Sequence, residues 1–182
     1  MATLVSSYNP TTAGAVDART ADALSVAFVA RPQAMSWYVR FQERGTILTA
    51  GRILQLSTSD TNPRLFLYSN AGLYAFTIVN LVGTSTTRTL GVAPAIGAIV
   101  ELLATLTAAG GATLSQSLNG ATATATASAT VTLPPAWSGT TLTVNSISGG
   151  SNTGTIALLN LLIVRGVQDF PTMRRLAGVG AR

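Results

Sequence analysis

The chain has 182 residues, 47% of them apolar and only 9% charged, and its formal net charge at neutral pH is +5. Average globular proteins carry ~25% charged residues and disordered chains pair low hydrophobicity with high charge, so this composition excludes disorder and predicts one packed domain. Histidine, cysteine and lysine are absent, which excludes Ser-His-Asp and Cys-His catalysis, thiolate or imidazole metal sites, disulfides, Schiff bases and the lysine of a phosphate-binding loop.

All the basic residues are arginine, for which GC-rich codon usage is as good an explanation as function. They are scattered from Arg19 to Arg182 rather than gathered on one element among aromatics, so no nucleic-acid partner is expected. Alanine, threonine, serine and glycine stand where lysine and glutamate ordinarily solubilise a surface, and such a surface is poorly protected against self-association. A homo-oligomer is therefore expected.

Residues 1–21 are small and polar without a strong period and read as an N-terminal arm, either disordered or ordered by clasping another subunit. They lack a basic stretch followed by an apolar one, so no secretory signal is expected. Residues 22–182 read as the folded domain. Met35, Trp37, Val39 and Phe41 alternate with polar or amphipathic residues, the period-two mark of a strand with one buried face. Residues 52–57 and 64–68 put Leu54 and Leu56, then Leu65 and Leu67, on single faces, and the turn-rich 59–63 joins them as a hairpin. Residues 73–80 are apolar on both parities and should be buried on both sides, inside a sheet. The threonine-rich 84–90 suits an edge strand or loop, and 98–106 returns to the core.

Asn119-Gly120 between 112–118 and 121–131 is a hairpin signal, because a type I′ turn needs positive φ at both positions. The second arm alternates alanine with threonine and could lie close against another surface. After a Pro-Pro break, 142–145 is a short strand, and Ile156 to Val164, too short to span a bilayer, reads as a core strand. Asp169 and Pro171 then open a short helix, near 169–177, which Gly178 stops. About ten strands and one helix predict an all-β, antiparallel two-sheet sandwich.

The segments Leu114-Ser-Gln-Ser-Leu-Asn-Gly120 and Gly154-Thr-Ile-Ala-Leu-Leu-Asn-Leu-Leu-Ile-Val-Arg165, followed by Phe170, Met173 and Leu176, resemble the late hairpin, closing strand and helical tail of concanavalin A-like, laminin G-like jelly-roll domains. The resemblance covers roughly residues 25–177 and is strongest after 112. Residues 31–45 and 172–177 are similar in style to such domains in tailed-bacteriophage virion proteins. The resemblance implies a jelly roll, made in the host cytoplasm and carried on the virion at the capsid exterior or tail, with other virion proteins such as the major capsid protein as partners. The expected role is a non-enzymatic capsid decoration or cement protein. The alternative is a carbohydrate-binding module of a tail that recognises a host-surface glycan.

Some enzymes of this fold cleave polysaccharides with paired carboxylates, but Glu43 and Glu101 are each isolated and no Glu-x-Asp-x-Glu stands in the chain. Glu101 interrupts an apolar strand and reads as a structural residue paired with arginine or placed at a strand end, because a buried unpaired carboxylate is costly. Calcium, common among relatives of the fold, needs several oxygen ligands; Asp17, Asp22, Asp60 and Asp169 are dispersed, so no cofactor is expected. The candidate partner or glycan contacts are Phe66, Tyr68, Trp137, Arg174 and Arg175. Phe66 and Tyr68 share the parity opposite Leu65 and Leu67 and would be exposed as a stacking platform or packed under a loop or neighbouring subunit. Trp137 reads as a core plug or interface anchor ahead of a ligand stacker. Arg174 and Arg175 either complement the helix dipole or dock on an acidic partner.

Overall fold

The computed structural model describes residues 22–25, 34–44, 52–56, 64–70, 72–80, 82–121, 125–131, 141–144 and 156–179. The N-terminal arm and Trp137 lie outside them. The strands are β1 (Asp22–Ser25), β2 (Met35–Glu43), β3 (Arg52–Leu56), β4 (Arg64–Asn70), β5 (Leu73–Val79), β6 (Ser85–Thr89), β7 (Ile99–Leu106), β8 (Gly111–Leu118), β9 (Ala125–Thr130), β10 (Thr141–Val144) and β11 (Ile156–Arg165), followed by the helix α1 (Phe170–Leu176). They form a six-stranded sheet, β1-β10-β3-β4-β5-β6, and a five-stranded sheet, β11-β2-β7-β8-β9, antiparallel throughout.

Strand alternation puts one apolar parity of each sheet into a shared core. Trp37, Val39 and Phe41 of β2 and Leu102 and Leu106 of β7 meet Leu65 and Leu67 of β4 and Phe76 and Ile78 of β5 there. Trp37 lies 5.9 Å from Phe76 between ring centroids, and Phe41 meets Tyr74 edge to face at 5.4 Å. Bulges in β3 and β11 shift the alternation locally, which is why Ile53 joins Leu54 in the core and Leu159 turns out to solvent. As expected, β5 is interior and buried on both faces, and β6 is an edge strand.

Two expectations gain detail. β11, the most apolar run, is an edge strand, and every one of its residues is at least partly exposed; apolarity on both parities here reflects the core on one side and α1 on the other. The Asn119-Gly120 turn does form, with φ of 53° and 78° and Ala121 N–H donating to Leu118 O at 3.0 Å. The β8–β9 register pairs Gln116 with Ala125, whereas a tight two-residue hairpin would set Gln116 against residue 123. Asn119 is held instead to the start of β7, donating from N–H to Ile99 O and accepting from Ile99 N–H on Oδ1. In β9, Ala127 packs against the core while Ser128 and Thr130 are exposed.

Asp169 caps α1, accepting from Thr172 N–H at 2.9 Å, with Pro171 in the first turn and Gly178 at φ 67° beyond the last. Phe170 and Met173 then bury the helix on the outer face of the five-stranded sheet, against Tyr38 and Leu103, with Leu162 and Val164 alongside.

Candidate functional site

A cluster of ionisable side chains lies beneath α1. On the outer face of the five-stranded sheet, Tyr38 of β2, Glu101 of β7 and Ser117 of β8 lie under the helix, and Arg174 reaches down to them. Its guanidinium meets Glu101 bidentately, Nε at 3.1 Å from both carboxylate oxygens and Nη2 at 2.5 Å from Oε2. Nη2 also donates to Ser117 Oγ at 2.7 Å and Ala121 O at 2.9 Å, and Ser117 Oγ donates to the same carbonyl. Tyr38 donates its hydroxyl to Glu101 Oε1 at 2.5 Å, and the guanidinium carbon sits 5.4 Å from the Phe170 ring centre. Glu101 is 1% exposed and the Arg174 side chain 22%.

Burial alone would raise the Glu101 carboxyl. Hydrogen bonds from Arg174 and Tyr38, the Arg174 charge and Ser117 together outweigh it and hold Glu101 below its ordinary value. Burial, reinforced by the bond to Glu101, pushes the Tyr38 phenol upward. The cluster is therefore a charged, hydrogen-bonded strut that fixes helix to sheet. Glu101 does pair with an arginine, as its isolation in an apolar strand suggested. That the partner is Arg174 has no signal in local spacing, because the two are far apart in sequence and meet only once the sandwich has formed.

Glu43 ends β2 on the opposite, core-facing parity, buried, and accepts the Tyr74 hydroxyl. Burial, then that hydrogen bond, drives the Tyr74 phenol upward. The two glutamates thus lie on opposite faces of one sheet, each engaged by a tyrosine, and neither faces the other as a catalytic pair would.

The candidate contacts separate in the structure. Arg174 is committed internally, so it is not a free docking cation, whereas Arg175 is exposed on the same helix. Phe66 and Tyr68 do point away from the core, in register with Gln55, Thr77 and Ala75 on the outer face of the six-stranded sheet, with ring centres 5.0 Å apart. Yet Phe66 is only 7% exposed and Gln55, Thr77 and Ala75 are buried with it. Of the two alternatives, an open stacking platform or packing under a loop or neighbouring subunit, the burial of Phe66 fits packing, while Tyr68 is half-buried. Asp169 is used as the helix cap, and no cluster of acidic side chains suited to a metal occurs among the described residues. Asp17 and Asp60 lie outside them. No helix of the described residues is long and apolar enough to cross a membrane.

No family model matches the chain, and no curated protein matches it in sequence. Solved structures do match the fold. Domains LG4-5 of the mouse laminin α1 chain superimpose with a TM-score of 0.57 at 12% identity, over 84% of this chain and 41% of that one. This is a laminin G-like jelly-roll sandwich. Tailspike protein 2 of an Escherichia coli O157:H7 bacteriophage matches with a TM-score of 0.61 at 16% identity, over 84% of this chain and 22% of the tailspike. The receptor binding domain of botulinum neurotoxin type G matches with a TM-score of 0.56 at 11% identity, over 80% of this chain and 37% of the toxin chain. The chain spans less than half the length of each of these proteins.

Proposed function

We propose that this jelly roll is a non-enzymatic recognition module of a bacteriophage virion, carried on the tail and directed at a host-surface glycan. The observation that carries the non-enzymatic reading is the use of both strand glutamates as internal struts, Glu101 under Arg174 and Tyr38, Glu43 under Tyr74. Most glycosidases place two carboxyl groups about 5–9.5 Å apart across one sugar, and these two are separated by the sheet itself. No resident cofactor enters the proposal. Support for a tail comes from the tailspike likeness, and support for recognition from the receptor binding domain of similar fold; fold alone does not assign function.

Tyr68 is the aromatic contact the reading retains, because its ring is half-buried where Phe66 is covered. Purified protein should co-sediment saturably with host cells, and Tyr68→Ala should weaken that binding about tenfold, the loss of one stacked contact of ~1–1.5 kcal/mol. Unchanged binding would remove Tyr68 from the site.

A second reading, capsid decoration on the major capsid protein, draws on the exposed Leu159 of β11 and Leu176 of α1, next to Asn160 and Ala177, which are joined by a hydrogen bond, since exposed apolar side chains brought together suit protein contacts. Co-sedimentation with purified heads rather than with cells would select it.

A further inference from the structure

β11 closes one end of the five-stranded sheet with the most apolar sequence in the chain, Ile-Ala-Leu-Leu-Asn-Leu-Leu-Ile-Val-Arg. Such edges invite pairing with another chain, and proteins ordinarily blunt them with lysine, proline, inward charge or cover. The β6 and β9 edges show such devices. β6 is polar, Ser-Thr-Thr-Arg-Thr, and its Arg88 donates from Nε to Ser128 O of β9, the far edge of the other sheet, at 2.6 Å. Within its own sequence β11 has a bulge between Leu158 and Asn160 but no proline, and no charge before Arg165 at its end, and none of the described strands pairs with its outer edge.

The backbone phase of the free edge follows from two hydrogen bonds. Gly166 N–H donates to Ala34 O, and Glu43 exchanges its backbone bonds with Ala98 and Gly97 on the β7 side. Antiparallel residues turn both backbone groups alternately to one neighbour and the other. Asn160, Leu162 and Val164 are therefore the residues bonded to β2, and Leu161, Ile163 and Arg165 turn their N–H and C=O groups outward. That outward row is flanked by apolar side chains on both faces: Leu161 and Ile163 lean on the inter-sheet core, Leu162 and Val164 on the α1 cluster. Of the five exposed large apolar side chains among the described residues, Val82 and Ile96 lie elsewhere and three lie on or beside this strand. Leu159 is 45% exposed on β11 itself, Val167 follows it, and Leu176 adjoins Ala177, whose carbonyl accepts from Asn160 Nδ2 at 3.4 Å.

We propose that β11 pairs antiparallel with β11 of a second copy of this chain about a two-fold axis near Ile163, joining two five-stranded sheets into one continuous sheet. A second copy is the occupant this edge fits. Pairing about Ile163 sets odd residues against odd and even against even, so core face continues into core face and helix face into helix face. Charge selects the direction: in the antiparallel pair the two Arg165 residues stand about 14 Å apart, four residues of strand, and are screened at physiological salt. A parallel pair would set them side by side. This interface goes beyond the recognition reading and does not depend on it, so either can fail alone.

The test is light scattering on the full chain, with hydrogen exchange on the same samples. Wild type should show twice the monomer mass, and the amides of Leu161, Ile163 and Arg165 should be protected at high concentration and lose protection on dilution. Leu159→Lys introduces a charge at an exposed position, and Ile163→Pro removes an outward N–H without breaking a bond to β2, at the loss of the Ile163 side chain that leans on the core. Each should give monomer with an unchanged circular dichroism spectrum. A wild-type monomer at every concentration, a dimer whose three outward amides exchange freely, or a Leu159→Lys protein that stays dimeric would overturn the proposal. Should Ile163→Pro fail to fold, the wild-type exchange data and Leu159→Lys decide the matter.

Discussion

At Glu101, two opposing effects meet on one carboxylate: burial that disfavours its charge and donors that favour it, with the donors prevailing. Removing the guanidinium leaves a buried carboxylate with Tyr38 and little else, so Arg174→Ala should destabilise the protein by about 3 kcal/mol, measured by urea unfolding. Because the folded carboxyl lies below its ordinary value of 4.5, the stability it contributes is fully present above that pH and is lost as the pH falls through the folded value. Glu101→Gln should therefore flatten the acid limb of the stability profile below about pH 4.5; an unchanged limb would show that other carboxylates govern it. Two glycines separate geometry from space in the same way. A Cβ on Gly110, at φ 87°, would meet Val131 O at 2.1 Å, whereas Gly120, at φ 78°, has open space. Gly120→Ala should cost about 1 kcal/mol of left-handed strain, and Gly110→Ala at least about 2 kcal/mol more, because a backbone carbonyl must also move. Equal losses in thermal unfolding would contradict this.

At the scale of elements, the strands were legible wherever alternation was clean and a single face was buried. β2 shows this best: its odd residues are the core and its even residues the helix side, as the pattern of Met35 to Gln42 states. The short helix was equally legible, because Asp169, Pro171 and Gly178 are cap chemistry that acts within one turn. β1 was missed, since four residues, Asp-Ala-Leu-Ser, carry too little period to register, and it pairs with β10 from the far end of the chain. The position of β11 within its sheet is not legible in the sequence for a physical reason: a strand roofed by a helix on one face and by the core on the other looks the same whether or not its edge is free. The same blindness hid the strut. α1 owes its place to Phe170 and Met173 beneath it and to Arg174 beside them, and ending the chain at Gln168 would uncover Tyr38 and Leu103 together. That truncation should cost about 4 kcal/mol for the two apolar side chains alone and raise binding of an apolar dye; a truncated chain as stable as the full one would show that the helix is ornamental.

For the molecule as a whole, a weakly charged sandwich encloses its strand glutamates, covers one sheet face with a helix and leaves an apolar strand edge at its border. The candidate contacts shrink accordingly, Arg174 being internal and Phe66 covered, with Tyr68 and Arg175 still accessible. Parity alone gave the direction of Phe66, but burial depends on what lies over a face, which alternation within one strand does not encode. An array of bacterial surface glycans, read both for retained protein and for glycan remaining on each spot, tests the central claim most directly. The account predicts saturable retention on a small set of glycans that stay intact. Loss of glycan from any spot, or an array that retains no protein at all, would contradict it.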